Sequence, residues 1–327
     1  MKGKRIAIIV SLALTVLLLG FLFYYSYCDT RSAVFLEIPQ DREGGFITVW
    51  GRDDQGQVSY APGGDDFVEV DAGKYHNIAL RRDGSVVVWG SDSQGQVSYT
   101  PAGNDFVSVA AGHYHNIALR KDGTITQWGW ELQIMGNLDA LEGDVPVDGR
   151  FTAIAASGMH SLALREDGTI YGWGLDFTGV VKNIPKRTDF TAIAAGENHN
   201  MALRKDNTVM AWGNDLMGSV IDTPRESHFV AMAAGVRHSL GLRSDGTIAS
   251  WGWNLGNELS DTPTNSGFTA VAAGYSHSIA IDEAGRIVAW GRERGNYGQI
   301  SQAPADSGYF RIAASDFHNI AIRSAGR

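Results

Sequence analysis

From residue 46 onward, apolar and polar positions alternate in short runs separated by Gly- and Asp-containing breaks, and the runs themselves recur. In one copy, residues 106–111, 115–120 and 124–128 are three strand-length runs. Gly112-His113-Tyr114 links the first two, and Lys121-Asp122-Gly123 is a hairpin turn whose Gly supplies a positive φ at little cost. Runs apolar on both faces, such as Ile117-Ala118-Leu119, predict strands covered on both sides. The segment before this copy, residues 90–105, holds Gly, Ser, Pro and Asp and predicts loop with at most one short irregular strand over 96–99.

The period of the pattern is 39 residues, marked by Trp50, Trp89, Trp128, Trp173, Trp212, Trp251 and Trp290, each followed by Gly, and by His76, His115, His160, His199, His238, His277 and His318. Such a period signals a repeat architecture. Extra residues fall only between Trp128 and Phe151 and between Trp290 and Tyr309, which marks that part of the unit as loop. A third-strand pattern stands alone at residues 44–51, and no Trp follows His318 before Arg327, so the first and last copies are halves of one unit. A split repeat predicts an all-β, closed seven-bladed β-propeller of short, mainly three-stranded blades, the last completed by the N-terminal strand. Closure is the way such a sheet array protects its edges.

Composition adds a compartment and removes some functions. Ahead of the repeats, Lys2, Lys4 and Arg5 precede an apolar run over residues 6–27, long enough for a bilayer core that needs roughly 20 residues. Ser26-Tyr27-Cys28 is a poor signal-peptidase site. Residues 1–28 are therefore expected to form one transmembrane signal anchor, 29–42 a tether and 43–327 the propeller. The basic start places the N-terminus in the cytoplasm and the propeller outside the cell membrane, or secreted if the segment is cleaved. Cys28 is the sole cysteine, so no internal disulfide forms. The net charge of −9 argues against nucleic-acid binding, which needs a basic stripe.

The stretch Ala-Ala-Gly-x-x-His-Asn-Ile-Ala-Leu-Arg-x-Asp-Gly-Thr-x-x-x-Trp-Gly, residues 110–129, resembles the regulator of chromosome condensation repeat family, and the likeness extends over residues 46–327. The repeat length and the Gly-Gln-Val-x-x-x-Pro connection at 95–101 are similar to the branch typified by the β-lactamase inhibitory protein of the second type. That resemblance implies three-stranded blades and, as alternatives for function, a β-lactamase inhibitor-like role or nucleotide-exchange-type regulation. A propeller fold by itself assigns no activity.

No nucleophile elbow, phosphate-binding loop or metal-ligand motif occurs, so no enzyme, cofactor or metal is expected. The seven His are one per blade, too far apart to share an ion, and are expected to make buried hydrogen bonds. The periodic Trp are expected in the core and the Ala-Ala-Gly steps along the axis. Arg120 with Asp122, Arg165 with Asp167, Arg204 with Asp206 and Arg243 with Asp245 are expected as exposed pairs. The acidic pairs Asp53-Asp54 and Asp65-Asp66 read as solvated loop carboxylates.

What varies between copies is the two-residue tip before each periodic His and the loop after each Trp-Gly. Strand directions place both at one end of the propeller. A constant frame with variable tips describes a binding surface. The expected partner-binding residues are Tyr75, His113, Tyr114, Trp130, Met159, Phe177, Trp253, Tyr275, Tyr297 and Phe317, a composition typical of protein-binding hot spots. The sequence thus predicts a monomeric, membrane-anchored, extracytoplasmic, non-catalytic protein-binding propeller. Cell-wall glycan binding by the loop aromatics stands as a further alternative.

Overall fold

A computed structural model of the chain describes residues 44–130, 141–147, 150–215, 217–293, 295 and 297–326. The expected transmembrane helix and tether lie outside these residues. Among the described residues no helix is long and apolar enough to cross a membrane.

The described residues are all-β. After β1 (Gly45–Gly51) come β2 (Phe67–Ala72), β3 (His76–Arg81) and β4 (Val86–Gly90), then β5 (Phe106–Ala111), β6 (His115–Arg120) and β7 (Ile125–Gly129). The third blade holds β8 (Leu141–Glu142), β9 (Phe151–Ser157), β10 (His160–Arg165) and β11 (Ile170–Leu175). Next are β12 (Phe190–Ala195), β13 (His199–Arg204) and β14 (Val209–Gly213), followed by β15 (Phe229–Ala234), β16 (His238–Arg243) and β17 (Ile248–Gly252). β18 (Phe268–Ala273), β19 (His277–Asp282) and β20 (Ile287–Gly291) precede the closing pair β21 (Tyr309–Ala314) and β22 (His318–Ser324).

These elements make seven antiparallel blades of the propeller. Both ends of the chain build the seventh: β1 pairs with β22 from Gly45 opposite Ser324 to Gly51 opposite His318. A single further bridge, Gly45 to Phe67, ties this blade to the first. β8 adds a fourth strand outside β11 and comes from the long insertion, where only loop was expected. Residues 96–99 form turns within the expected loop, and the short irregular strand allowed there does not form. Their backbone is claimed by Asp92, whose Oδ1 accepts from Val97 N at 2.8 Å and Ser98 N at 3.0 Å.

Packing follows from which face each residue takes. In β6, Ile117 and Leu119 pack into the third blade while Ala118 faces the first. β3 and β10 repeat this, with Ile or Leu pairs forward and Ala backward, so bulk on one blade meets small residues on the next. The first strand breaks strict alternation. Phe106, Val109 and Ala111 share one interface and Val107 and Ala110 the other, because a bulge between Phe106 and Ser108 shifts the phase by one residue. The seventh apolar cluster joins the last blade to the first: Ala313, Ile320 and Ile322 pack with Phe67, Ala79 and Trp89.

The repeated polar residues bind the blades together. His76 Nε2 meets Asn116 Oδ1 at 2.9 Å, and the same link passes from each blade to the next through Ser161, Asn200, Ser239, Ser278 and Asn319. His318 continues it to Asn77 at 2.9 Å. The periodic Trp are buried as expected, and they are also staples. Trp89 Nε1 and Asn77 Nδ2 both donate to Gln57 O in the loop of the preceding blade, at 2.9 Å each.

The turn Asp residues cap their own turns, as where Asp122 Oδ1 accepts from Thr124 N and Oγ1. The strand-end Arg reaches back instead, Arg120 to Asp105 at 2.5 Å and Arg243 to Glu226 at 2.6 Å, and lies over the Phe of its first strand. Arg204 does both, meeting Asp189 at 2.9 Å and Asp206 at 3.0 Å. Asn207, standing where other copies have Gly, takes φ 62°.

Candidate functional site

Tips and post-Trp loops meet at one end of the propeller in every blade. The residue after each Trp-Gly donates its N–H to the carbonyl of the second tip residue, as in Trp130 to Tyr114 O at 2.9 Å, Arg52 to Phe317 O at 2.9 Å and Trp253 to Arg237 O at 3.0 Å. The hairpin turns close the opposite ends of the same strands. The two tip residues then diverge: at the first position Lys74, His113, Val236 and Asp316 line the axial recess, whereas the second-position residues, and Tyr275 from a first position, meet the loop side chains.

The outer positions gather the expected aromatics into groups. Arg52 lies 5.0–5.2 Å from the ring centroids of Tyr75, Tyr297 and Phe317, held by a bidentate ion pair with Asp54 that keeps its pKa above the ordinary value. Tyr297 and Phe317 meet edge to face at 5.8 Å. Tyr114 stands between His113 and Trp130, 6.1 Å from each in edge-on geometry. Arg237 lies 5.7 Å from Trp253 and 5.6 Å from Tyr275. Such cation–π and edge contacts hold large rings half-exposed at defined angles. Met159 lines a small crevice with Trp130 and Gln127. Phe177 joins none of these groups and is 70% exposed.

Arg52 and Arg237 were absent from the expected binding set, although each sits at a variable position beside an aromatic one. The loop carboxylate Asp53 is exposed, as expected, and together with its equivalents it also holds loop backbone. Asp53, Asp176 and Asp215 each accept two backbone N–H groups from residues five and six positions on, and Asn254 does the same. The shared place of Asp53, Asp92, Asp176, Asp215 and Asn254, three residues after a periodic Trp, is the sequence signal of this role. Gly56 fits the same loop: it has φ 74°, and a Cβ there would come within 2.2 Å of the Tyr60 ring.

The axial positions are different in kind. Ala72, Gly73, Ala111, Gly112, Ala234 and Gly235 line a recess on the axis, as the small-residue steps predict. Four charged or titratable side chains stand at its mouth. Lys74 Nζ is 3.3 Å from Asp316 Oδ2, and His113 Nε2 is 3.6 Å from Glu197 Oε2. Burial pushes His113 down to about 4, so it is neutral at pH 7. Burial, then the Asp316 charge, raises the Glu197 carboxyl above its usual range. For Lys74, burial opposes the charge, but Asp316 and Glu197 outweigh it and hold its pKa up.

The periodic His offer no comparable chemistry. Three of them face a Ser hydroxyl at 2.7–2.9 Å, the spacing of a base and a nucleophile. Ser161, Ser239 and Ser278 are at most 1% exposed, so no substrate reaches them.

Comparison with known proteins agrees with this frame. The family model described as the regulator of chromosome condensation repeat matches residues 67–96, 151–179, 190–218, 229–256 and 268–299. No curated protein matches the sequence. Among solved structures, the chain is similar to Prp20p of Saccharomyces cerevisiae, studied with its binding to Gsp1p and histones. Identity is 18%, covering 91% of this chain and 97% of that one, with a TM-score of 0.68. Human WBSCR16 is similar at 15% identity, covering 86% and 100%, with a TM-score of 0.68. The CRINKLY ectodomain of the Arabidopsis thaliana receptor kinase ACR4 is similar at 20% identity, covering 80% and 91%, with a TM-score of 0.62. By the repeats that match along its length and by its propeller fold, this chain belongs to the regulator of chromosome condensation repeat family.

Proposed function

We propose that the chain is a non-catalytic protein-binding propeller that engages its partner through the end bearing the tips and post-Trp loops. The observation that carries this reading is the gathering of Tyr75, Tyr297 and Phe317 around Arg52, of Tyr114 with Trp130, and of Trp253 and Tyr275 around Arg237. Tyr, Trp and Arg are the residues that most often carry interface energy, and here they are pre-positioned, so binding costs little side-chain ordering. Prp20p, which has the same fold, is a binder of protein partners. The opposite end offers Asp-capped turns and ion pairs instead, as at Asp122 and Asp245.

The test is affinity capture by the immobilised full-length chain from surface proteins of its own cells, run beside Trp253→Ala and Asp245→Ala. A protein held by the parent and by Asp245→Ala but lost from Trp253→Ala supports the reading. Retention by Trp253→Ala and loss from Asp245→Ala overturns it. Purified class A β-lactamase, peptidoglycan and a small GTPase form separate arms. Saturable nanomolar inhibition, wall retention or accelerated nucleotide release identifies the inhibitor, glycan-binding or exchange alternative.

We further propose that residues 6–27 anchor the chain with the propeller outside the cell, on the strength of the basic start and apolar length. Protease added to intact cells is then expected to degrade the propeller while a tag at Met1 stays protected in the membrane fraction. A soluble product that begins after Cys28 contradicts the anchor.

A further inference from the structure

We propose that His113, Glu197 and Asp316 form an axial site for a divalent transition-metal ion of the Zn²⁺ class. One ligand atom from each, drawn from the second, fourth and seventh blades, lies within 4.8 Å of the other two. The three residues are equivalent first-tip positions, brought together because the blades converge there. A Zn²⁺ ion held at roughly 2.0–2.1 Å from N and O donors needs them about 3.3 Å apart. The His113–Glu197 separation is already 3.6 Å, so small side-chain rotations complete the set.

Two observations favour a bound cation. The Asp316 side chain is only 7% exposed, and its Oδ2 faces a single flexible cation, the Lys74 ammonium at 3.3 Å. Two carboxylates share a half-buried recess, an arrangement whose repulsion a dication relieves.

The donor set selects the ion. One neutral imidazole with two carboxylates suits Zn²⁺ and its transition-metal neighbours, while Ca²⁺ and Mg²⁺ favour all-oxygen sets. Three protein ligands leave a fourth position facing the open recess, where water or a partner's side chain can bind. The other buried histidines are committed to the blade-to-blade links, and the loop carboxylates to backbone N–H groups. Lys74 acts as the resident cation, swinging away from Asp316 when the metal enters.

The experiment strips the full-length chain with chelator and titrates it with ZnCl₂ by calorimetry, with Co²⁺ absorption as a spectroscopic readout. One Zn²⁺ per chain is expected at micromolar affinity or tighter, with ligand-field bands for Co²⁺. His113→Ala and Asp316→Asn should each weaken binding at least 100-fold, whereas Lys74→Met should tighten it about tenfold by removing the competing ammonium. Misfolding cannot produce that gain, and unchanged metal-free melting checks the other variants. His228→Ala, at an exposed histidine outside the cluster, should change nothing. Binding no tighter than millimolar, binding that survives the His113→Ala/Asp316→Asn double variant, or weaker binding by Lys74→Met overturns the site.

Discussion

On acidification from pH 7 to pH 5 the protein is expected to lose about 10 kcal/mol of stability, as much as an ordinary domain possesses in total. His76 and His199 are pushed down to about 4, and His115, His238 and His318 to about 3, by complete burial. His160 and His277 shift in the same direction for the same reason. The tautomer is fixed by the network: Asn77 Nδ2 donates to Gln57 O, so its Oδ1 must accept from His318 Nε2. Nδ1 of His76, His199, His238 and His318 is buried and unpartnered, so a second proton there gains no acceptor. Nearby Asp53, Asp176, Asp215 and Glu293 favour the charged form but are outweighed by burial.

The direction follows from proton counts. The unfolded histidines bind protons below about 6.5 while the folded ones stay neutral, so stability is complete above pH 7 and falls as pH drops toward 4. At pH 5 each of the five with assigned values contributes a loss of about 2 kcal/mol. Denaturant unfolding at pH 7.5, 6 and 5 should show the midpoint collapsing across that series. A midpoint unchanged between pH 7 and pH 5 contradicts the buried neutral network.

Removal of β1 should be nearly as damaging. A chain lacking residues 1–51, compared with one lacking 1–43, loses the full-length ladder to β22 and leaves that strand's edge open. It also loses Trp50, 4% exposed within the cluster of Ile279, Tyr309 and Ile312, whose indole donates to Gln299 O at 3.0 Å. Loss of a buried Trp alone costs about 3–5 kcal/mol. The shorter chain should aggregate or melt without cooperativity, whereas a circular permutant joining Gly326 to Gly45 and opened within 131–149 should fold. A shorter chain that melts cooperatively at the longer one's temperature contradicts a propeller closed by its N-terminal strand.

Seven copies made the frame legible. Strand ends at Phe106, His115 and Trp128, the left-handed Asn207 and the small axial residues follow from a pattern that repeats. What had no repeat was not readable: β8 lies in an insertion present once. Local rules also misled where a distant partner won. Spacing pairs Arg120 with Asp122 two residues away, but the turn claims that carboxylate and Asp105 meets the guanidinium instead. Val97-Ser98-Tyr99 looks like a strand until Asp92 is seen to hold its amides. The meeting of Lys74, His113, Glu197 and Asp316 was hidden because these positions differ in every copy, and only blade convergence makes them neighbours. Of the expected binding residues, Tyr75, Tyr114, Trp130, Trp253, Tyr275, Tyr297 and Phe317 fall into the three clusters with His113 beside Tyr114, while Phe177 stands alone.

The most direct test of the binding face is the Kd of the captured partner for the parent chain and for single variants at the two ends. Tyr114→Ala, Trp253→Ala and Arg237→Ala should each weaken binding by about 2 kcal/mol, roughly thirtyfold, with melting unchanged. Asp122→Ala and Asp245→Ala should bind as the parent does. Affinity that falls with the turn variants and holds with the three tip-and-loop variants would place the interface at the other end and contradict the account.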